Sequence, residues 1–504
     1  MASRRLAALA GLALTLPALL AAPVLADPAA RELVVDVAAR GAPFPHYWEK
    51  MFGSGRAILS LRASYRRDLA EMKRVTGLAY VRPHGIFMDE VGVYDEDKDG
   101  KAVYNFSYVD EIYDGLLAAG VKPFIELGFM PKKLASKPTT YPFWYQPIVA
   151  PPRDWRRWEQ LIERFARHLV ERYGLDEVGK WYFEVWNEPN LEFWAGEPRE
   201  PTYYELYDRT ARTLKQVSAR LRVGGPATAQ AAWVDRFIAH TVAAKVPVDF
   251  VSTHVYANDT AHDVFGTEES IGRDQMVCRA VKKVHDQIAA SGRPKLPLIW
   301  SEFNASWKNE PDITDTIFMG PWLADTVRRC DGLAETMAFW TFSDVFEEQG
   351  VVATPFYGGF GAIAAGGIDK PVFFAFELLH ELGDVRLAAS ADDLLVTRRA
   401  DGAIAIAAWN LVLPGQRGQP RTIRVRLDGL SAETHRVSIR SVDEHSGNVL
   451  PAFRALGAPR NPTQAQLETL RRQGAMRPAE ERVLADATLE LVVPPNGLRL
   501  VLIH

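Results

Sequence analysis

The feature that most constrains this chain is an apolar run that stops on a polar cluster. Trp181-Tyr182-Phe183-Glu184-Val185-Trp186 gives way to Asn187-Glu188-Pro189-Asn190. A near-continuous apolar strand belongs in a parallel sheet covered on both faces, and in a closed parallel barrel the residues past its end stand at the mouth. The pattern returns in Leu296-Pro297-Leu298-Ile299-Trp300-Ser301-Glu302-Phe303-Asn304. Glu188 and Glu302 are 114 positions apart, three units of about 38 residues. A bare β/α unit takes about 30, so the excess implies long loops.

Strand-like runs alternate with amphipathic helix patterns from about residue 45 to 385. The strand candidates are one near Met51–Gly53, then Leu78–His84, Lys122–Gly128, Trp181–Asn187, Leu221–Gly225, Val248–His254, Leu296–Glu302 and Thr336–Phe342. Eight strands alternating with helices predict a (β/α)8 TIM barrel, an α/β fold, over residues 42–385. The clearest helix has Trp155, Trp158, Leu161, Ile162, Phe165, Leu169 and Tyr173 on one stripe, with Asp154 as N-cap and Gly174 as its stop.

Past Gly383 the period changes. Asp393–Arg398, Ala403–Asn410, Thr422–Leu427, Arg436–Val442, Ala487–Val493 and Leu498–Ile503 are short alternating runs between turn residues. They predict an accessory antiparallel β-sandwich over residues 386–504. Glu32–Val37, within a segment over residues 27–41, has the same character and is expected to join it. Pro462–Arg482 is polar with a helical pattern and reads as an insertion on that domain.

Residues 1–26 read as a secretory signal peptide, with Arg4 and Arg5, an apolar Leu6–Leu20 and a small-residue cleavage site at Val24-Leu25-Ala26. This predicts an exported protein, periplasmic or extracellular, with no membrane span after cleavage. Without Arg4 and Arg5, 57 basic residues face 63 acidic ones. That balance argues against a nucleic-acid or anionic-membrane partner and suits a neutral substrate. Two cysteines, Cys278 and Cys330, are too few for a disulfide framework or a Cys-rich metal site. They read as free thiols packed in the barrel's outer layer, with a disulfide between them as the alternative.

Reactive side chains of such barrels sit at the C-terminal strand ends. Here those are Arg82 and His84, Glu126, Asn187 and Glu188, His254 and Tyr256, Glu302, and Trp340, followed by Asp344, Glu347 and Glu348. Carboxylates and imidazoles take sugar hydroxyls, and aromatic faces stack on the ring. Two strand-end glutamates are what glycosidic cleavage requires: Glu188 as general acid/base, Glu302 as nucleophile. Asn187 is placed to donate to a sugar 2-OH and Tyr256 to hold the nucleophile. Glu184, inside its strand, reads as an internal partner of an arginine.

The chain resembles glycoside hydrolase family 39, and most of all its β-xylosidases. The matching stretches are Arg82-Pro83-His84-Gly85-Ile86-Phe87, Pro123-Phe124-Ile125-Glu126-Leu127-Gly128-Phe129-Met130-Pro131, Trp186-Asn187-Glu188-Pro189-Asn190, Ser252-Thr253-His254-Val255-Tyr256 and Ser301-Glu302-Phe303-Asn304. The most specific is Phe339-Trp340-Thr341-Phe342-Ser343-Asp344-Val345-Phe346-Glu347-Glu348. The resemblance implies a retaining β-D-xylosidase, exo-acting on xylo-oligosaccharides or aryl xylosides, with no cofactor and no metal. It implies that His84, Phe129, Asn187, His254, Tyr256, Trp340, Glu347 and Glu348 line the sugar subsite. The chain departs from the usual family pattern at Val255, where Pro or Ala is common, and at Ser301, where Thr is. Homo-oligomer formation stays open.

Two rival readings remain. One is another specificity of the same family, an α-L-iduronidase-like enzyme or an exopolysaccharide hydrolase. An iduronidase needs a cation beside the sugar carboxylate. The other is an inactive sugar-binding barrel, which would normally have lost one of the two glutamates. A metallopeptidase reading of His380-Glu381 fails because Asp384 stands where a second histidine is required.

Overall fold

Eight apolar segments pair in parallel and in sequence order into a closed barrel. In this computed structural model, which describes residues 32–504 apart from 432 and 485, they are β1 (Met51–Arg56), β2 (Tyr80–His84), β3 (Lys122–Glu126), β4 (Tyr182–Glu184), β5 (Arg222–Thr228), β6 (Phe250–Tyr256), β7 (Leu298–Asn304) and β8 (Thr336–Phe339). Closure comes from β8 against β1, with Ala338 opposite Met51 and Phe339 opposite Phe52. The signal-peptide segment lies outside the described residues. No described helix is long and apolar enough to cross a membrane.

Because strand side chains alternate, every second residue faces the barrel axis. Met51, Phe124, Tyr182, Phe250, Ile299 and Ala338 form a buried apolar plug at the lower end, with Tyr80 packed on it. Two residues further along those strands stand Gly53, Glu126, Glu184, Ser252, Ser301 and Trp340, with Arg82 two past Tyr80. The barrel is therefore dry below and charged above. Gly53 is required by this second layer, since a Cβ there would meet the Trp340 ring at 2.0 Å.

The helices cover the outside. Trp155–Tyr173 begins where Asp154 Oδ1 accepts from the Arg156 and Arg157 amides, at 2.9 and 3.3 Å. It ends at Gly174, whose φ of 80° favours glycine. Trp158, Leu161, Ile162, Phe165 and Leu169 are buried on its inner face.

The accessory region is two layers. One sheet has Glu32–Asp36, Arg421–Asp428 and Thr488–Val493; the other has seven strands in the order Ala42–Pro43, Val385–Leu387, Leu394–Arg398, Ile404–Trp409, Leu498–Ile503, His435–Val442 and Glu480–Leu484. The sandwich is antiparallel except where Glu32–Asp36 pairs in parallel with Arg421–Asp428. That strand arrives from the far end of the chain, so no hairpin dictates its direction. The strand Ile404–Trp409 is buried along its whole length. Ile404, Ile406 and Ala408 pack into the sandwich core, whereas Ala405, Ala407 and Trp409 pack into the barrel's core. The sandwich is thus fused to the barrel wall.

Two expectations need correction. Cys278 and Cys330 are not free but form a disulfide, tying helix Met276–Ala289 to the C-terminal cap of helix Met319–Arg329. Consecutive barrel helices are neighbours, which brings residues 52 apart in sequence together. The Pro462–Arg482 segment is also more than a helical insertion. Thr463 and Gln466 form a capping box on helix Gln464–Gly474, and Glu480–Leu484 is an edge strand. The helix reaches back to the barrel: Leu470 is buried with Phe356 and Ile368, and Arg471 donates to the Gly366 and Gly367 carbonyls. It props the loop beyond β8.

Candidate active site

Glu188 follows β4 on a backbone turned out of the strand, with φ of +72° at Trp186 and +43° at Glu188. Left-handed conformations cost on the order of 1–3 kcal/mol at non-glycine residues, so neighbours must hold them. Here the Glu188 amide donates to the Ala227 carbonyl at 2.8 Å. The Asn190 side chain exchanges hydrogen bonds with Ala229, accepting at 2.9 Å and donating at 3.1 Å. The Asn-Glu-Pro-Asn cluster is therefore stapled to the end of β5 and the residue just past it.

Glu302 enters from β7 by a different device. Ser301 already faces the axis by alternation, so Glu302 should point outward. The register of β7 slips on both sides, between Thr253 and His254 of β6 and between Trp300 and Phe303 against β8. Such a bulge re-aims a side chain. Ser301 and Glu302, adjacent in sequence, both reach the interior.

The two carboxylates converge on His254. Its Nδ1 lies 3.0 Å from Glu188 Oε1 and 3.6 Å from Glu302 Oε1, and one oxygen of each glutamate and one ring nitrogen all lie within 4.8 Å of one another. That closeness suits the about 5–5.5 Å separation of retaining glycosidases, not the 6.5–9.5 Å of inverting ones.

Arg82, wholly buried, organises the layer beneath. Its Nε donates to Glu184 Oε2 at 2.6 Å, one terminal nitrogen to Glu302 Oε1 at 2.7 Å, and the other to Asn187 Oδ1 at 2.9 Å, with Glu126 at 3.2 Å. Because an arginine only donates, Asn187 must present its oxygen to it, which leaves the amide nitrogen for a substrate hydroxyl. Tyr256 donates to Glu302 Oε2 at 2.5 Å.

The electrostatics separate the two glutamates. Burial raises the Glu188 pKa well above the carboxylate range, and the Glu302 charge adds to it. Burial raises Glu302 too, but Arg82, His84 and the Tyr256 hydroxyl oppose it, so its net rise is the smaller of the two. Opposed environments of this kind assign the acid and the nucleophile. The shared proton belongs on Glu188.

The remaining expected residues divide. His84 is bonded through Nδ1 to Glu126, packs on Trp340 with centroids 4.6 Å apart, and has Nε2 3.9 Å from Glu348. Burial raises the Glu348 pKa well above the usual range, with Glu302 adding to it. Trp340, Tyr256, Phe346 and Phe360 form one aromatic cluster. Phe129 is fully buried, packed against His84, Trp186 and Phe193, and exposes no surface to a sugar. Glu347 is tied to Arg56 at 2.7 Å and Arg62 at 2.5 Å, and no polar contact joins it to the catalytic pair.

Sequence reasoning left out Arg56 and Ser301 as site residues and read Glu184 as an internal partner of an arginine, which is the role it takes with Arg82. Arg56 was missed because β1 was ended three residues early; the strand-end rule would otherwise have found it. Ser301 and Glu184 carry an available signal, since both lie two residues beyond plug residues, Ile299 and Tyr182.

The family model described as glycosyl hydrolases family 39 matches residues 32–485. A β-xylosidase of Geobacillus stearothermophilus is 36% identical over 471 residues, covering 91% of this chain and 93% of its own. One of Caldicellulosiruptor saccharolyticus is 34% identical, covering 87% and 90%. The crystal structure of a monomeric β-xylosidase from Caulobacter crescentus superposes with a TM-score of 0.86 at 34% identity, over 94% of this chain and 99% of that one. The likeness spans barrel and sandwich together, and the chain belongs to glycosyl hydrolase family 39.

Proposed function

We propose that this protein is a retaining, exo-acting β-D-xylosidase that releases xylose from the non-reducing ends of xylo-oligosaccharides. The observation that carries it is the unequal pair: Glu302 held by Arg82 and Tyr256, which favour its charged form, and Glu188 within 4.8 Å of it, the more strongly raised of the two. Glu302 attacks the anomeric carbon as the glycosidic C–O bond breaks, and the Glu188 proton passes to the leaving oxygen. Glu188, now a carboxylate, then takes a proton from the water that cleaves the glycosyl-enzyme. Asn187 Nδ2 is free to bind the 2-OH, a contact that strengthens in the transition state. His84 stands against both Trp340 and Glu348. Whole-chain likeness to β-xylosidases supports xylose as the sugar.

An iduronidase-like specificity is not favoured. Near the pair Arg82 is buried and committed to Glu184, Glu302 and Asn187, and Arg56 is committed to Glu90 and Glu347. Neither is free for a uronate. The pattern of residues 1–26 supports export to the periplasm or the medium, which N-terminal sequencing checks by a start at Asp27. Hydrolysis of a panel of aryl glycosides tests the activity. β-Xyloside should be cleaved best; preference for α-L-iduronide, or no cleavage by folded protein, would overturn the reading.

A further inference from the structure

A chain of hydrogen bonds runs below the two glutamates. His254 Nε2 is 3.1 Å from Ser301 Oγ, and Ser301 Oγ donates to Glu184 Oε1 at 2.7 Å. The other Glu184 oxygen accepts from Arg82 Nε at 2.6 Å. All four groups are buried. An arginine only donates, and the carboxylate it pairs with only accepts. Ser301 has one hydrogen, and the Glu184 oxygen takes it. Ser301 can then only accept from His254, so the imidazole hydrogen sits on Nε2. In a neutral ring that leaves Nδ1 bare, 3.0 Å from Glu188 Oε1. A bare nitrogen and a bare carboxylate oxygen repel at that distance, whereas a protonated carboxyl donates to the nitrogen.

From this polarity we infer that Ser301 and Glu184 are positioning residues that lock His254 in its Nε2–H tautomer, so that the bare Nδ1 keeps the proton on Glu188 until the glycosidic oxygen takes it. The inference rests on the glycosidase reading for its consequence but not for its geometry. A neutral ring fits the surroundings: burial, Arg82 and His84 all push the His254 pKa well below its ordinary value. The other charged groups facing Glu188 are Glu302 from β7, Asp259 and Glu348 from the loops after β6 and β8, and Arg82 from β2. Only His254 has a sense of donation that can be reversed without altering those charges. With the opposite tautomer, Nδ1–H would donate to Glu188, stabilise the carboxylate and weaken the acid.

Two variants reverse the lock differently. Ser301→Ala removes the acceptor. Glu184→Gln reverses the chain, because Arg82 requires the amide oxygen and turns the amide nitrogen toward Ser301, which then donates to His254. Imidazole ¹⁵N shifts, with His254 assigned through His254→Gln, read the tautomer without turnover. They should show Nε2–H in the parent and Nδ1–H in Glu184→Gln. In kcat/KM for xylobiose, whose leaving group needs an acid, the basic limb should move down by about one pH unit in both variants. With a dinitrophenyl xyloside, which needs none, it should stay, and Ser301→Thr should retain the parent profile. Nδ1–H in the parent, or an unmoved basic limb in both variants, overturns the inference. Failure of the xylosidase reading would show separately, as no xyloside turnover beside an intact tautomer signal.

Discussion

Tyr256 donates its hydroxyl to Glu302 Oε2 at 2.5 Å, while the opposite carboxylate oxygen is held by Arg82 at 2.7 Å. Both contacts favour the ionised nucleophile. Tyr256→Phe removes one of them, so the Glu302 pKa rises and a smaller share is ionised at low pH. The acidic limb of kcat/KM should move to higher pH. A hydrogen bond to a charged group is worth about 1.5–3 kcal/mol, which predicts a loss of about ten- to hundredfold. A pH profile of the variant checks both.

Removing either glutamate should separate their roles. Glu302→Ala should abolish turnover and be rescued by azide with inverted product, because azide enters from the face the nucleophile left. Glu188→Ala should lose about 10²–10⁴-fold on substrates with poor leaving groups and little on activated ones. Azide should rescue it with retained product, since the glycosyl-enzyme still forms. Product stereochemistry by NMR decides.

Much of this was legible in the sequence because apolar strands ending on polar residues are a one-dimensional pattern. All eight barrel strands overlap the expected runs, and Arg82, His84, Glu188, His254, Tyr256 and Glu302 meet at one end. What escaped depends on events the pattern does not encode. The bulge that turns Glu302 inward beside Ser301 is a register slip, invisible until the neighbouring strand is placed. Phe129 and Glu347 follow strand ends as the family resemblance requires, yet one is absorbed by aromatic neighbours and the other by two arginines. The strands Ala42–Pro43 and Val385–Leu387 pair only with each other and a neighbour, and are too short to show alternation.

The Cys278–Cys330 bond closes a loop of 52 residues between neighbouring helices. Restricting the unfolded chain by a loop of that size stabilises the fold by about 4 kcal/mol. The double variant Cys278→Ala/Cys330→Ala should melt at lower temperature, as should the parent under a reductant that reaches the buried bond. The catalytic residues lie inside the barrel, and the bond joins helices outside it. Activity at 25 °C should therefore be unchanged. Calorimetry with and without reductant checks the first expectation and initial rates the second.

At the lower end of the barrel, buried Glu49 accepts from His380 Nδ1 at 2.9 Å and is bonded to His46 Nδ1 at 2.8 Å. Burial pushes the Glu49 pKa up, but hydrogen bonds from His380 and His46 outweigh it, and the net shift is downward. The hydrogen bond to Glu49 raises the His380 pKa. By linkage, the raised histidine stabilises the fold fully below its unfolded value, about 6.5, and loses this as pH climbs through its folded value. The lowered carboxylate contributes above its unfolded value, about 4.3, and loses this as pH falls through its folded one. The cluster should therefore stabilise most between those two values and less on either side. In Glu49→Gln the difference in Tm from the parent should be largest in that window and shrink toward pH 9. A difference that stays constant with pH would mean that Glu49 acts through packing alone.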